Sequence, residues 1–280
     1  MTLAIDIGAT NIRVADVSGK IVRNKQQSPT PKTKKKIIRT LFSLIDQHKN
    51  RKVICIGLAG FIKSEKILGT PNMDLNNVDL KRLLERKYKA RVYLENDAKC
   101  AGLAELYYGN GRRFRNFILL TLGTGIGGAA IINKKLYRGS GVAGEFGHMI
   151  LQDKDIDLEH LSSGPASLEL AKKLGFKKIS SLALEDLAKH HNKRALEVYK
   201  EVGEKLGIGL LNLSYAFDPD AIILAGGFSR VKLIHKEATR VFRSRDKIKR
   251  KIPVIFAKLG QDAGLVGAAL LPKFAKEIKQ

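Results

Sequence analysis

The 280-residue chain has no tryptophan, only two cysteines, and about half as many acidic residues as basic ones, 27 against 51. Cys55 and Cys100 lie far apart, so neither a disulfide framework nor a cysteine-based zinc site is available. The N-terminus has no basic region and meets Asp6 too early for a signal peptide. The most apolar window, Phe117 to Ile132, is interrupted by Thr121, Thr124 and glycines at 123, 125, 127 and 128, and is too short to span a membrane. These absences fit a cytoplasmic globular protein long enough for two domains. The formal charge of +24 favours polyanionic partners. Against specific reading of nucleic acid stand the missing tryptophan, helix-turn-helix, zinc finger and aromatic-rich strand motif.

Periodicity gives the architecture. Residues 2–7 read as a buried strand, followed by Gly8-Ala9-Thr10, a second alternating strand from Ile12 to Val17, a Ser18-Gly19 turn and a third strand at Ile21-Val22. A helix is expected over Lys34–His48, a strand over Val53–Leu58, a helix over Leu80–Tyr88, a strand over Val92–Leu94 and a helix running to Tyr108. The pattern then restarts. Shifting the chain by 115 positions puts Gly8 on Gly123 and the Ser18-Gly19 turn on Asn133-Lys134. Helices follow at Ala166–Leu174 and Ala195–Tyr215, then a strand at Ala221–Leu224, a helix over Val231–Phe242, a strand at Val254–Ala257 and a final helix after Asp262. The expectation is an α/β protein of duplicated βββαβα units facing across a cleft. One domain would hold residues 1–115 plus a C-terminal helix over 263–280, the other residues 116–262.

Three loops carry chemistry. At Gly8 and at the Gly123-Thr124-Gly125 tip the missing Cβ allows positive φ and close backbone approach, so that amide hydrogens can point at phosphate oxygens. Thr10 and Thr124 add hydroxyl donors, and Asp6 is placed to hold a hydrated Mg²⁺. Neither tip is a Walker A loop. Gly226-Gly227, between a strand and a helix, would let a flat ligand or phosphate rest on the backbone. Asn96-Asp97 ends a strand and starts a helix, so the pair is either an ordinary cap or a polar group at the ligand-binding edge of a sheet.

Taken together, Asp6-Ile7-Gly8-Ala9-Thr10-Asn11, Glu95-Asn96-Asp97-Ala98, Leu122 to Gly128, Gly144-Glu145-Phe146-Gly147-His148, Leu224-Ala225-Gly226-Gly227 and Asp262 to Ala268 resemble the motifs of ROK-family sugar kinases, in order and over nearly the whole length. The resemblance implies a two-domain ribonuclease H-like, actin-like ATPase fold with MgATP in the cleft. It implies that Asp97 is the general base and that Gly60, Asn96, Asp97, Glu145, His148 and Glu159 contact the sugar. Asp6, Gly8, Thr10, Asn11, Gly123, Thr124, Gly125, Gly226 and Gly227 would serve the nucleotide. The expected activity is transfer of the γ-phosphate of ATP to the 6-hydroxyl of glucose or a related hexose or hexosamine. Alternatives are polyphosphate as donor, or a non-catalytic sugar-binding regulator with a basic nucleic-acid-binding surface. A homodimer is implied by resemblance alone.

The chain also departs from that family. Many members hold a structural zinc with the motif histidine and a following cysteine-rich loop; here Met149–Leu158 has no cysteine, so no zinc is expected. Asp153, Asp155 and Asp157 alternate like a calcium loop, but Leu158 and Gly164 stand where that loop needs Gly and Glu, and the segment reads as a solvated turn. The placing of Glu159 crosses this deletion. Ala9 and Ala129 replace glycines, which is harmless only at negative φ. The family's repressors carry an N-terminal DNA-binding domain, whereas a strand is expected here from Thr2.

Overall fold

Strongly apolar stretches become strands buried on both faces, as parallel sheets require. In a computed structural model that describes residues 1–49 and 51–275, the chain opens with β1 (Thr2–Ile7), β2 (Asn11–Ser18) and β3 (Ile21–Pro29). Next come α1 (Lys34–Asp46), β4 (Val53–Leu58), the hairpin β5 (Phe61–Lys63) and β6 (Lys66–Gly69), α2 (Leu80–Tyr88), β7 (Arg91–Asn96) and α3 (Asp97–Tyr108). The second half runs through β8 (Phe117–Leu122), β9 (Ile126–Ile132), β10 (Lys135–Tyr137), the hairpin β11 (Ile150–Gln152) and β12 (Ile156–Asp157), α4 (Leu158–Ser162), α5 (Gly164–Lys173) and α6 (Ser181–Lys189). It ends with α7 (Lys193–Phe217), β13 (Ala221–Ala225), α8 (Lys232–Arg245), β14 (Val254–Phe256) and α9 (Ala263–Ala268).

The duplication is visible in the sheets. Their strand orders are β3-β2-β1-β4-β7 and β10-β9-β8-β13-β14, each an antiparallel meander continued by parallel strands. Gly8 follows β1 as Gly123 follows β8. Two further hairpins, β5–β6 and β11–β12, and helices α4 and α6 go beyond the expected elements. Both hairpins turn on paired left-handed residues other than glycine, Ser64-Glu65 and Lys154-Asp155, where sequence gives no Asn-Gly signal. Of the solvated turn expected over 153–157, Asp153 and Asp155 lie exposed in the hairpin's turn, whereas Asp157 is buried in β12.

The chain divides into two compact units, residues 1–113, 129–144 and 258–280, and residues 114–128 and 145–257. Residues 129–144 and 258–262, expected in the second domain, group with the first. Of the expected C-terminal helix, α9 covers 263–268 and a 3-10 turn covers Leu271–Phe274; residues 276–280 lie outside the described residues.

In the first unit, Ile37, Leu41, Leu44 and Ile45 of α1 pack with Ile5, Ile7, Ile54, Ile56 and Leu94 in one apolar cluster. Each such side chain contributes about 1.5–3 kcal/mol through burial. Helix α3 is buried almost all round, and a glycine within it and one against it allow close packing. A Cβ on Gly267 of α9 would lie 1.7 Å from the Cys100 carbonyl oxygen, and one on Gly102 would lie 2.7 Å from the Ala129 Cβ. In the second unit α7 is the central helix, with Val198, Tyr199, Val202, Leu206, Leu210 and Leu213 buried.

Candidate functional site

The parallel register of the first sheet decides which residues gather at one edge. Ile7 pairs with Leu58 and Leu58 with Asn96, so β1, β4 and β7 end together. The residues that follow are Gly8, Ala59-Gly60 and Asp97. The edge is tied by Ala59 N–H donating to the Ile7 carbonyl at 2.9 Å and by Asn96 Nδ2 donating to the Gly60 carbonyl at 3.0 Å. Asn96 also caps α3, its Oδ1 accepting from Lys99 N–H at 3.0 Å. Cap and site are therefore split between neighbours: Asn96 satisfies the helix start, and Asp97, its first residue, stands half-exposed with Oδ1 accepting from Ala98 N–H.

Around the first glycine tip, Gly8 N–H donates to the Asn11 carbonyl at 2.9 Å, and Asn11 Oδ1 accepts from Gln27. Thr10 is exposed at the tip. Asp6 is buried and accepts from its cross-strand neighbour Arg13 Nη1 at 3.1 Å. Burial pushes the Asp6 carboxyl above the usual range, with Asp262 adding to this and Arg13 opposing it. Helix α9 approaches closely, since a Cβ on Gly264 would come within 3.1 Å of the Asp6 side chain. One carboxylate already paired to an arginine suits a water-bridged Mg²⁺ held mostly by phosphates rather than an all-protein cage. Among the described residues no group of three or more His, Cys, Asp or Glu side chains could hold a metal ion.

Behind this edge lie buried charged residues: Glu95, expected as a structural residue at the strand end, and Lys99, which sequence reading passed over. Glu95 is buried and accepts from Arg138 Nε at 2.8 Å, and buried Lys99 donates through Nζ to the Gly141 carbonyl. Both bonds fix the glycine-rich segment 139–144 in the first unit. The advance signal for Glu95 was its place at the end of the apolar strand; Lys99 had none.

The second unit holds the other expected residues. A Cβ on Gly123 or Gly227 would meet nothing within 4 Å, so both leave the backbone open to a phosphate-sized group. Thr124 is exposed beside them. Gly125 is needed for a different reason: a Cβ there would lie 2.4 Å from Glu159 Oε2. That oxygen accepts from Ile126 N–H at 2.7 Å, while Gly164 N–H donates to the Gly123 carbonyl at 2.9 Å. The segment 159–164 thus brackets the glycine tip at both ends. Gly226 is the one phosphate-loop residue with positive φ, at 88°, where a Cβ would strike the Leu122 carbonyl at 2.2 Å. Gly8, Gly123, Gly125 and Gly227 have negative φ, as do Ala9 and Ala129, so the loops rely on open backbone rather than left-handed geometry and accommodate both alanines.

Glu145 and His148 stand at the start and end of a short 3-10 turn, with Gly147 packed on the Ile126 carbonyl. His148 Nδ1 lies 3.1 Å from Asp157 Oδ2, and His160 Nδ1 lies 2.7 Å from Asp157 Oδ1. Asp157 is buried, caps α4 through His160 N–H, and is no solvated turn residue. Partial burial works against its ionisation, but the His160 backbone and ring and the His148 ring together hold its carboxyl below the usual range. A zinc site of the family's type does not fit these residues: the loop offers no thiolate, and Asp157 occupies the His148 nitrogen.

A duplicated meander with parallel extensions, flanked by helices and carrying glycine tips after its first strands, is the actin-like ATPase fold. The chain belongs to the ROK family, which it matches over residues 2–274. It is 32% identical over 310 aligned residues to a glucokinase of Streptomyces coelicolor, with 98% of each chain covered. It is 30% identical over 288 aligned residues to a xylose repressor of Bacillus subtilis, covering 95% of this chain and 75% of the repressor. A ROK family glucokinase from Streptomyces griseus, solved with glucose and AMPPNP, superposes with a TM-score of 0.86 at 31% identity over 96% of this chain and 98% of that one. The relatives therefore include sugar kinases and a repressor. No helix among the described residues is long and apolar enough to cross a membrane.

Proposed function

We propose that the protein is an ATP-dependent sugar kinase that phosphorylates the 6-hydroxyl of glucose or a related hexose or hexosamine. The observation that carries this reading is the division of roles at the end of β7: Asn96 caps α3, so Asp97 is not needed for capping and its carboxylate can serve chemistry. A carboxylate at a strand edge can orient a hydroxyl and accept its proton as the oxygen attacks, the one proton transfer this reaction needs. Asn96 and the Gly60 backbone hold neighbouring hydroxyls, as do Glu145, His148 and the second carboxylate oxygen of Glu159.

MgATP, when bound, supplies the phosphoryl group and neutralises charge developing on it. The protein's part is placement. The Thr124-Gly125 backbone, with the Thr124 hydroxyl, holds phosphate oxygens, as Thr10 and Asn11 do from the first unit; Gly8 and Gly123, whose N–H groups are taken by the Asn11 and Gly125 carbonyls, leave room for close approach, and Gly226-Gly227 take the nucleoside end. Asp6 is the residue that would hold a hydrated Mg²⁺.

Asp97→Ala tests the reading. Turnover should fall by about 10²–10⁴-fold, the usual worth of a general base, while sugar binding stays measurable. Unchanged turnover would refute the assigned base. A panel of hexoses and hexosamines with ATP and polyphosphate as donors fixes the substrates, and sugar-dependent nucleic-acid binding without any turnover would instead favour a regulator.

A further inference from the structure

We propose that Asp157 is a positioning residue that sets the tautomer of His148, so that Nε2, the ring nitrogen away from Asp157, accepts a hydrogen bond from a substrate hydroxyl. The inference rests on the reading of His148 as a sugar contact, and gives Asp157 a role beyond capping α4.

The geometry is local to the second unit. The β11–β12 hairpin carries the chain out from His148 and back, so that Ile150 pairs with Asp157, and Leu158 N–H closes on the Met149 carbonyl at 2.9 Å. The hairpin thereby returns a carboxylate to the imidazole nine positions after it. The Asp157 side chain is 10% exposed, whereas that of His148 is 43% exposed. One edge of the ring is thus anchored while much of the rest faces solvent.

An ionised carboxylate can only accept hydrogen bonds, so the His148 nitrogen facing Asp157 Oδ2 must carry the proton. In the neutral ring Nε2 then has a lone pair and accepts. Asp157 Oδ1 is taken by the N–H and ring of His160, so the two carboxylate oxygens serve different partners. This arrangement separates the roles of Asp157 experimentally. Asparagine is as good a helix cap as aspartate, and its Oδ1 can keep the bonds to His160. Its Nδ2, however, is a donor facing His148 Nδ1, so the ring must move its proton to Nε2 and present a donor where it formerly accepted.

The experiment compares wild type, Asp157→Asn, His148→Ala and the double variant. Long-range ¹⁵N–¹H spectra of the imidazoles should show the Nδ1–H tautomer for His148 in wild type and the Nε2–H tautomer in Asp157→Asn, with thermal stability held close to wild type. The KM for the sugar should rise about tenfold with kcat nearly unchanged, the signature of a lost binding contact. Adding Asp157→Asn to His148→Ala should cost nothing further, because the effect acts through that ring. An unchanged His148 tautomer in Asp157→Asn overturns the proposal, as does a KM penalty that persists undiminished in the His148→Ala background. The spectra need no turnover, so if no sugar is phosphorylated the kinase reading fails and the tautomer still decides the clamp.

Discussion

Replacing Glu105 with glutamine tests whether one buried carboxylate ties the far end of α3 to the C-terminal segment of the first unit. The side chain is fully buried. Oε2 accepts from Asn110 N–H at 2.8 Å, and Oε1 accepts from Lys258 and Leu259 N–H, both at 2.9 Å, across more than 150 residues of chain. A Cβ on Gly109 would fall 2.0 Å from Oε2, so the neighbouring turn leaves no room for the side chain to shift. Glutamine has the same shape but one acceptor oxygen. In its better orientation it keeps the pair from 258 and 259 and turns an NH₂ group onto a backbone N–H. Hydrogen bonds to charged groups contribute about 1.5–3 kcal/mol each, so losing one and placing donor against donor costs about 2–4 kcal/mol. In a protein of this size that corresponds to a fall of about 5–15 °C in Tm. Glu105→Ala, which removes all three bonds and leaves a cavity, should fall further. Thermal unfolding followed by circular dichroism measures both, and a Tm within 2 °C of wild type for Glu105→Gln would show that the three contacts carry no net stability.

Gly125→Ala should displace Glu159 from Ile126 N–H and raise the KM for nucleotide about tenfold with the far-ultraviolet spectrum unchanged; an unaltered KM would mean that the bracket does not set the loop. Burial pushes the thiols of Cys55 and Cys100 well above their ordinary range, so the native protein should resist a thiol reagent at pH 8 and expose both groups only on unfolding; rapid native labelling would contradict this. Hydrogen bonding and charge from Asp157 raise His160 above its usual 6.5, so this contribution to stability is complete below 6.5 and fades as pH rises through the folded value. Asp157 runs oppositely, its contribution present above 3.8 and lost as pH falls through its lowered folded value. With the His160 side chain 73% exposed the effect on Tm is small, and the decisive measurement is an NMR titration, in which Asp157→Asn should return His160 toward 6.5.

How far the sequence could be read depended on the range of the interaction. Helices α2 and α3 keep the expected ends, because Asp79 and Asn96 cap them through bonds to the third residue onward, and such signals are local. The buried strands β1, β4, β8 and β13 were legible as apolar runs. The two small hairpins were not, since their turns use Ser64-Glu65 and Lys154-Asp155 in left-handed conformations that these residues disfavour. The three-aspartate run around 155 looked like surface charge because nothing near it in sequence shows that one of the three turns inward.

The same limit separates what can be read of an acid from sequence from what cannot. A carboxylate at a strand end can be recognised as a candidate from the strand, but at Asn96-Asp97 the strand alone left cap and site open, and only the motif resemblance singled out Asp97. What a carboxylate bonds to cannot be recognised in that way. Glu159 accepts from a residue 33 positions earlier, Glu105 from residues 153 and 154 positions later, and Glu95 from one 43 positions away. In a chain with 27 acids against 51 bases, acids at buried positions are few enough that each one observed has a definite partner to hold. Asp6, Glu95, Glu105 and Asp157 are all buried and all receive hydrogen bonds from arginine, histidine or backbone N–H. Asp97, by contrast, is half-exposed at the sheet edge, with its capping duty taken by the residue before it. The acid proposed to do chemistry thus differs from the others in exposure and in not being needed for capping, and removing it should spare the fold where removing Glu105 should not.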